Sequence, residues 1–200
     1  MPKSHPTKEL LIETAVQLID EFGPQGFTVD VLLEKSKISK GSLYHHFTDF
    51  GDVIEQAQVA RFGRSVDEDA EQLVALLMSS TSLDDMFSKI HLLVSNATGE
   101  SRAKVRLDRA AIIGGARHSE KFAQALSVEQ QRLTDAFADL IHELQNRGWI
   151  SQQVDPRAAG TFIQAYSLGY VLNDITANPI SSDAWTQIVE SVIRSLFTAK

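Results

Sequence analysis

Apolar residues recur at spacings of three and four along almost the whole chain, and that period confines it to helices. Leu11, Ile12, Ala15, Val16, Ile19 and Phe22 make one such stripe. That spacing gathers side chains on a single face of an α-helix. Phe122, Leu126, Leu133, Phe137, Leu140, Ile141 and Leu144 make a longer one, ending near Gly148. No pair of segments alternates in the way half-buried strands do, and no internal repeat is present. The fold class read from this is all-α, with about nine helices.

Local signals divide the helices. Gly23-Pro24 stops the first. Thr28 caps a short helix over Val29–Ser36, and Ser39 caps another through Phe47, each hydroxyl being placed to satisfy a free backbone N–H of the first turn. From Asp52 the pattern runs to about Met78, with Gly63 a place for a bend. Ser82 to Asp85 reads as a capping box opening a helix to about Ala97. Others cover about Arg102–Ile113, Asp155–Ala177 and Asp183–Phe197. Asp155-Pro156 is a strong start signal, and Asn178-Pro179 a stop. The organisation expected is a three-helix head, residues 1–50, and a larger helical body, residues 51–200, joined by the helix that begins near Asp52.

The segment Ile38–Phe47, ISKGSLYHHF, carries the chemistry. On a helical wheel Leu43 and Phe47 fall together and face the core. His45 lies opposite, flanked by Gly41 and Ser42, with Tyr44 and His46 on the shoulders and Lys40 at the tip. The first turn is nearly bare, so its backbone can approach a large flat partner. Lysine, tyrosine and histidine side chains around it are hydrogen-bond donors of phosphate-reaching length. Lys35, Lys37 and Lys40 crowd the segment, with Glu34 opposing. Two short helices joined by a tight turn, the second with a polar face, describe a helix-turn-helix that enters the DNA major groove. The bland alternative is a tolerated surface glycine beside a solvated histidine pair.

These residues, with Phe27-Thr28-Val29 before them, resemble the N-terminal signature of the tetracycline-repressor (TetR) family over roughly residues 10–57. The helical remainder is similar in layout. The resemblance implies a dimeric one-component transcription regulator, most often a repressor released from palindromic operator DNA by a small molecule. It implies that Thr28 and Ser39 bond phosphates, that Lys40 and Gly41 approach base edges with Ser42 able to join them, and that Tyr44 and His46 grip the backbone. His45 occupies a position used on either, and the wheel favours the groove. Four positions depart from the family pattern. Ser36-Lys37 stands where Ala-Gly is usual, so Lys37 has to tolerate a left-handed backbone at a cost of roughly 1 kcal/mol. Thr48 and Phe50 stand where lysines often follow the phenylalanine, which implies a shallower dependence of DNA binding on salt.

In the body, the Asp155–Ala177 helix is apolar or small nearly all round, which calls for burial on both sides. With the last helix it forms the expected dimer interface: Phe162, Tyr166, Gly169, Trp185, Ile188 and Val192. A central core helix of a monomer is the other reading. Candidates for an effector pocket are Phe87, His91, Val94, Arg109, Ile113, Phe122, Leu126 and Phe137. Arg109 and His91 would meet an anionic or polar group; the plainer reading is that most of the eight are core residues at helical spacing and that Arg109 pairs with Asp108 or a surface acid.

The chain has 19 basic and 26 acidic residues, a net charge of −7. That balance argues against indiscriminate nucleic-acid binding. It leaves a local surface possible, since screening confines each charge to roughly 8–10 Å. There is no cysteine, and the six histidines show no metal-ligand spacing, so neither metal nor other cofactor is expected. No phosphate loop, dinucleotide fingerprint, metalloprotease motif or nucleophile elbow occurs, and an enzyme is not expected. No signal-type or membrane-spanning apolar run is found, which points to the cytoplasm. A small-molecule-binding or scaffold protein with weakened DNA recognition remains the alternative function.

Overall fold

A computed structural model describes residues 5–198, with side chains to Ser195. The chain is helical: α1 (Pro6–Phe22), α2 (Val29–Ser36), α3 (Lys40–His46), α4 (Phe50–Ser79), α5 (Leu83–Thr98), α6 (Ala103–Gly115), α7 (Glu120–Asn146), α8 (Pro156–Gly169), the single turn α9 (Val171–Asp174) and α10 (Ser182–Thr198). Short 3-10 turns precede α6 and α7. Among the described residues there is no strand.

The chain divides into two compact units. One runs to Ser65 and takes in Ala116–Leu126; the other holds Val66–Gly115 and the chain from Ser127 on. Each has its own core. In the first, Leu11, Ala15, Leu18 and Ile19 of α1 meet Leu32 of α2, Leu43 of α3, Phe47, and Val53 and Ala57 of α4. In the second, Met86, Phe87 and Val94 of α5 pack with Leu140, Ile141 and Leu144 of α7 and with Val189 and Ile193 of α10. Gly160 lets α8 lie close on α7. A Cβ there would come within 2.7 Å of the Phe137 Cβ.

Caps set the boundaries. The Thr28 hydroxyl accepts from the Val31 amide at 3.5 Å, the Ser39 hydroxyl from that of Ser42 at 3.3 Å, and the Asp155 carboxylate from that of Ala158 at 2.7 Å. At α5, the Ser82 hydroxyl accepts from the Asp85 amide while the Asp85 carboxylate accepts from the Thr81 amide. The same construction opens α4. Asp49 accepts from the Asp52 amide at 2.8 Å, and Asp52 accepts from the Thr48 amide at 3.0 Å. The helix expected from Asp52 therefore starts at Phe50. It passes Gly63 as continuous helix.

Three expectations change. Phe22 leaves the apolar stripe of α1 and is 51% exposed, because it is the last residue before the Gly23 stop. The helix expected to reach Ala177 breaks at Tyr170 and ends at Asp174. Side chains hold that break: the Asn173 amide pairs with both the N–H and the carbonyl of Ile180, at 2.8 and 3.1 Å, and Arg106 grips the Asp174 carboxylate through two nitrogens. Lys35 does not add freely to the positive charge near α3; it lies 3.6 Å from Glu21 of α1.

Candidate nucleic-acid interface

The α2–α3 pair is anchored by Leu32, Leu43 and Phe47, all buried. The turn between them passes through Lys37 at φ 59°, ψ 23°, the only non-glycine residue with positive φ among the described residues. An L side chain is strained there. The Ser36 hydroxyl supports the turn, accepting from the Ile38 amide at 3.4 Å. With α3 anchored in this way, Lys40, Gly41, Tyr44 and His45 are exposed and Ser42 and His46 are half-buried. Thr28 and Ser39 are exposed at the helix starts, each hydroxyl already engaged as a cap. A Cβ added at Gly41 would meet nothing within 4 Å. No close approach inside the molecule calls for a glycine at that position.

A further feature was not legible in the sequence. The start of α1 lies against the end of α3. The His5 and His46 rings sit 4.8 Å apart, and His46 and His45 5.0 Å apart. The Lys8 ammonium is 5.6 Å from the centroid of the buried Phe47 ring. His5 caps α1, its Nδ1 accepting from the Thr7 amide at 3.3 Å. That bond leaves Nε2–H as the donor of the neutral ring. Burial, then His5, His45 and Lys8 in that order, pull the His46 pKa below the ordinary histidine value. The one sequence signal was His5-Pro6, a residue with an accepting side chain ahead of a helix-starting proline. It marks a cap and says nothing of what the cap will face.

Just behind α3, Asp52 ties the first unit together. Its carboxylate accepts from Lys121 Nζ at 2.7 Å, from Gln56 Nε2 at 2.7 Å and from the Thr48 amide. Burial raises its pKa, but the bonds from Lys121, Gln56 and Thr48 outweigh burial and hold it at about 2. Of the two positions where the resemblance implied lysines, Thr48 is exposed. Phe50 is half-buried, edge-on to Phe27 at 5.7 Å.

The eight pocket candidates lie in different local surroundings. Phe122 and Leu126 belong to the first unit and the others to the second. Val94 is core. Ile113 is exposed. Phe137 is half-buried and meets Gly160. Arg109 donates to Asp69 at 2.6 Å, an acid from α4 that satisfies its charge without a ligand. Phe87 and His91 do share an open groove, with Ser88, Glu190 and Arg194. There His91 Nδ1 lies 2.6 Å from Glu190, and the Arg194 guanidinium lies over the Phe87 ring at 4.1 Å.

The six interface candidates also differ from one another. Phe162, Ile188 and Val192 face outward, with Ile188 63% exposed. Leu168 and Leu172 are exposed as well. Gly169 has open space where a Cβ would stand. Tyr166 is half-buried against the second core, and burial pushes its hydroxyl pKa up to about 12. Trp185 turns inward and stacks on Tyr170 at 5.2 Å; its indole N–H is buried with no partner among the described residues. Also among the described residues, no three His, Asp or Glu side chains gather as a metal site, and no helix is long and apolar enough to cross a membrane.

Residues 11–60 match the sequence pattern of the bacterial regulatory proteins of the tetR family. Over 198 residues the chain is 22% identical to the HTH-type transcriptional regulator UidR of Escherichia coli (strain K12), covering 98% of this chain and 96% of that one. The fold is similar to that of a TetR-family transcriptional regulator from Cytophaga hutchinsonii, at TM-score 0.68 and 15% identity, over 99% of this chain and 100% of the other. A TetR-family regulator from Pectobacterium atrosepticum superposes at TM-score 0.66 and 20% identity, over 96% and 95% of the two chains.

Proposed function

We propose that this chain, whose residues 11–60 match the tetR-family pattern, is a TetR-family helix-turn-helix transcriptional regulator acting as a homodimeric repressor. It binds a palindromic operator in double-stranded DNA and leaves it when a small molecule occupies the helical body. The observation that carries the reading is the outer face of α3: exposed, polar, and built around a glycine that its own chain leaves open.

The roles follow the chemistry. Lys40 and Ser42 reach base edges, with Gly41 allowing the backbone close to the groove floor and His45 between groove and phosphate. Thr28, Ser39, Tyr44 and His46 bond phosphates, which fix register without reading sequence. Residues 1–50 form the head, and residues 51–200 carry dimerisation and effector binding. Two heads are needed because a palindrome offers two half-sites to a twofold assembly. Phe162, Ile188 and Val192 supply apolar area for the contact, with Tyr166, Gly169 and Trp185 behind or beside them. An effector in the body changes the spacing of the heads through α4, which runs through both units. Coupling of about 1–3 kcal/mol is enough, provided the effector binds one state better than the other. Residues Phe87, His91, Val94, Arg109, Ile113, Phe122, Leu126 and Phe137 stay as candidates for that site, with the Phe87–His91 groove the part where two meet. The protein works in the cytoplasm, takes no cofactor and catalyses no reaction.

Selection of random duplexes by the purified protein tests this. Enrichment of an inverted repeat, with release by one member of a metabolite panel, is expected. Lys40→Ala should relax preference at particular bases, and Tyr44→Phe should weaken binding to all sequences alike. Enrichment of no motif favours the second reading, a ligand-binding or scaffold protein with weakened DNA recognition. That reading draws on Phe50, which packs against Phe27 where a phosphate-binding cation was implied.

A further inference from the structure

The DNA surface of α3 does not stop at α3. At its far end stand three imidazoles and one ammonium from two elements, His5 and Lys8 of the α1 start with His45 and His46. The groups acting on His46 are His5 and Lys8 from α1 and His45 from its own helix, and each opposes a further proton on the ring. No carboxylate is among them. A protein of net charge −7 has thus gathered basic groups around His46, where each opposes a proton on that ring. Such a cluster is poorly arranged for stability and well arranged for a polyanion.

We propose that His5, Lys8, His45 and His46 form one phosphate-binding grip on the DNA backbone, and that the grip takes up protons as duplex DNA binds. The proposal rests on the DNA-binding reading of α3 and adds to it two contacts from α1 and a dependence on pH. In the free protein burial and its basic neighbours pull the His46 pKa below the ordinary histidine value. A phosphate accepting hydrogen bonds from the ring edges reverses the balance, because its negative charge favours the imidazolium. Bound and free proteins then hold different numbers of protons, and linkage makes affinity depend on pH. The sign is fixed. The bound-state pKa exceeds the free-state pKa, so affinity is flat above the bound value. It climbs as pH falls between the two, and levels off below the free value. The depressed free pKa of His46 extends that window downward from the usual ~6.5 of histidine. Each proton taken up contributes at most about tenfold in affinity per pH unit. His5 contributes the Nε2–H that its capping tautomer leaves free. Lys8 contributes affinity as a cationic contact beside the rings.

The experiment measures binding of the full chain to two fluorescent duplexes, a selected operator and an unrelated sequence, between pH 5.5 and 8 at constant ionic strength. Affinity for both should rise about fivefold or more between pH 7.5 and 6, since phosphate contacts are blind to sequence. His46→Gln keeps a donor that cannot titrate and should remove at least half of the logarithmic slope. Lys8→Met should lower affinity at every pH and, because Lys8 opposes protonation of His46, move the pH-dependent window upward. Lys40→Ala, at the other end of α3, should leave the slope. Proton NMR of the histidine rings provides a readout independent of affinity: the His46 pKa should rise on adding duplex. Binding that is tight but flat with pH, or a slope that survives His46→Gln, overturns the proton-linked grip and leaves the DNA reading intact. Binding to neither duplex at any pH overturns both.

Discussion

The two units bury their apolar residues in different ways. In the first, the core closes on itself: Leu11, Leu18, Leu32, Leu43 and Val53 are fully or almost fully buried, and the outward face of α3 is polar. In the second, the core is as well filled at Met86, Phe87, Ile141 and Leu144, yet α8, α9 and α10 leave Phe162, Leu168, Leu172, Ile188 and Val192 facing outward. Single exposed apolar residues are ordinary, but several large ones on neighbouring segments of the chain call for an explanation. The contrast teaches that the first unit exposes hydrogen-bond donors along α3, whereas the second exposes apolar area on α8, α9 and α10.

The sharpest way to break that contrast is to charge the apolar side of the body. Ile188→Asp with Val192→Asp should convert a dimer to a monomer in sedimentation experiments. Burying two carboxylates without partners costs several kcal/mol, about 4 or more, or roughly a thousandfold in association. The head should still melt normally. An unchanged sedimentation coefficient would place the interface elsewhere. Next in size, Leu43→Ala empties the fully buried position that anchors α3. It should cost about 2–5 kcal/mol in chemical denaturation and carry DNA binding with it.

A smaller effect tests the charged tie of the head. Asp52 has a folded pKa of about 2, against roughly 3.9 when unfolded. Its stabilisation is full above the unfolded value and is lost as pH falls from there through 2. Its buried carboxylate meets a Lys121 chain that is 65% exposed, so solvent screening trims the benefit to about 1–2 kcal/mol. Asp52→Asn should lose that amount at pH 7 and match the parent near pH 2. A constant difference at all pH values would contradict the assignment. Smallest of all is the turn. Lys37 at φ 59° carries roughly 1 kcal/mol of strain, so Lys37→Gly should change stability by less than about 1 kcal/mol. Lys37→Val should destabilise by more than that, as thermal melts would show.

How much could be read in advance follows the same division. The caps at Thr28, Ser39, Ser82 and Asp155, and the inward anchors Leu43 and Phe47, were legible because they rest on short-range spacing. So was the left-handed turn at Lys37, since a non-glycine residue had to occupy it. What failed locally failed by long-range contact: α8 and α9 break where Asn173 meets Ile180 and Arg106 meets Asp174. The His5–His46 pair spans most of the head in sequence, and no periodicity could announce it. The body was harder still. Apolar spacing on a helix gives a stripe and does not say which stripe residue faces its own core, as Trp185 does, and which faces outward, as Ile188 does. The pocket candidates suffered the same ambiguity, and Arg109 found an acid forty residues away.

The central claim is that the bare turn of α3 is open for a duplex and for nothing in its own chain. Gly41→Leu tests it most directly, with melting and operator affinity measured on the same sample. Open space at that Cβ predicts a melting temperature equal to or above the parent's, since leucine favours helix over glycine by up to about 1 kcal/mol. Operator affinity should fall about tenfold or more, because the added side chain occupies the approach, the loss expected of a misplaced base contact worth roughly 1–3 kcal/mol. Full operator affinity in a folded Gly41→Leu protein would contradict the account.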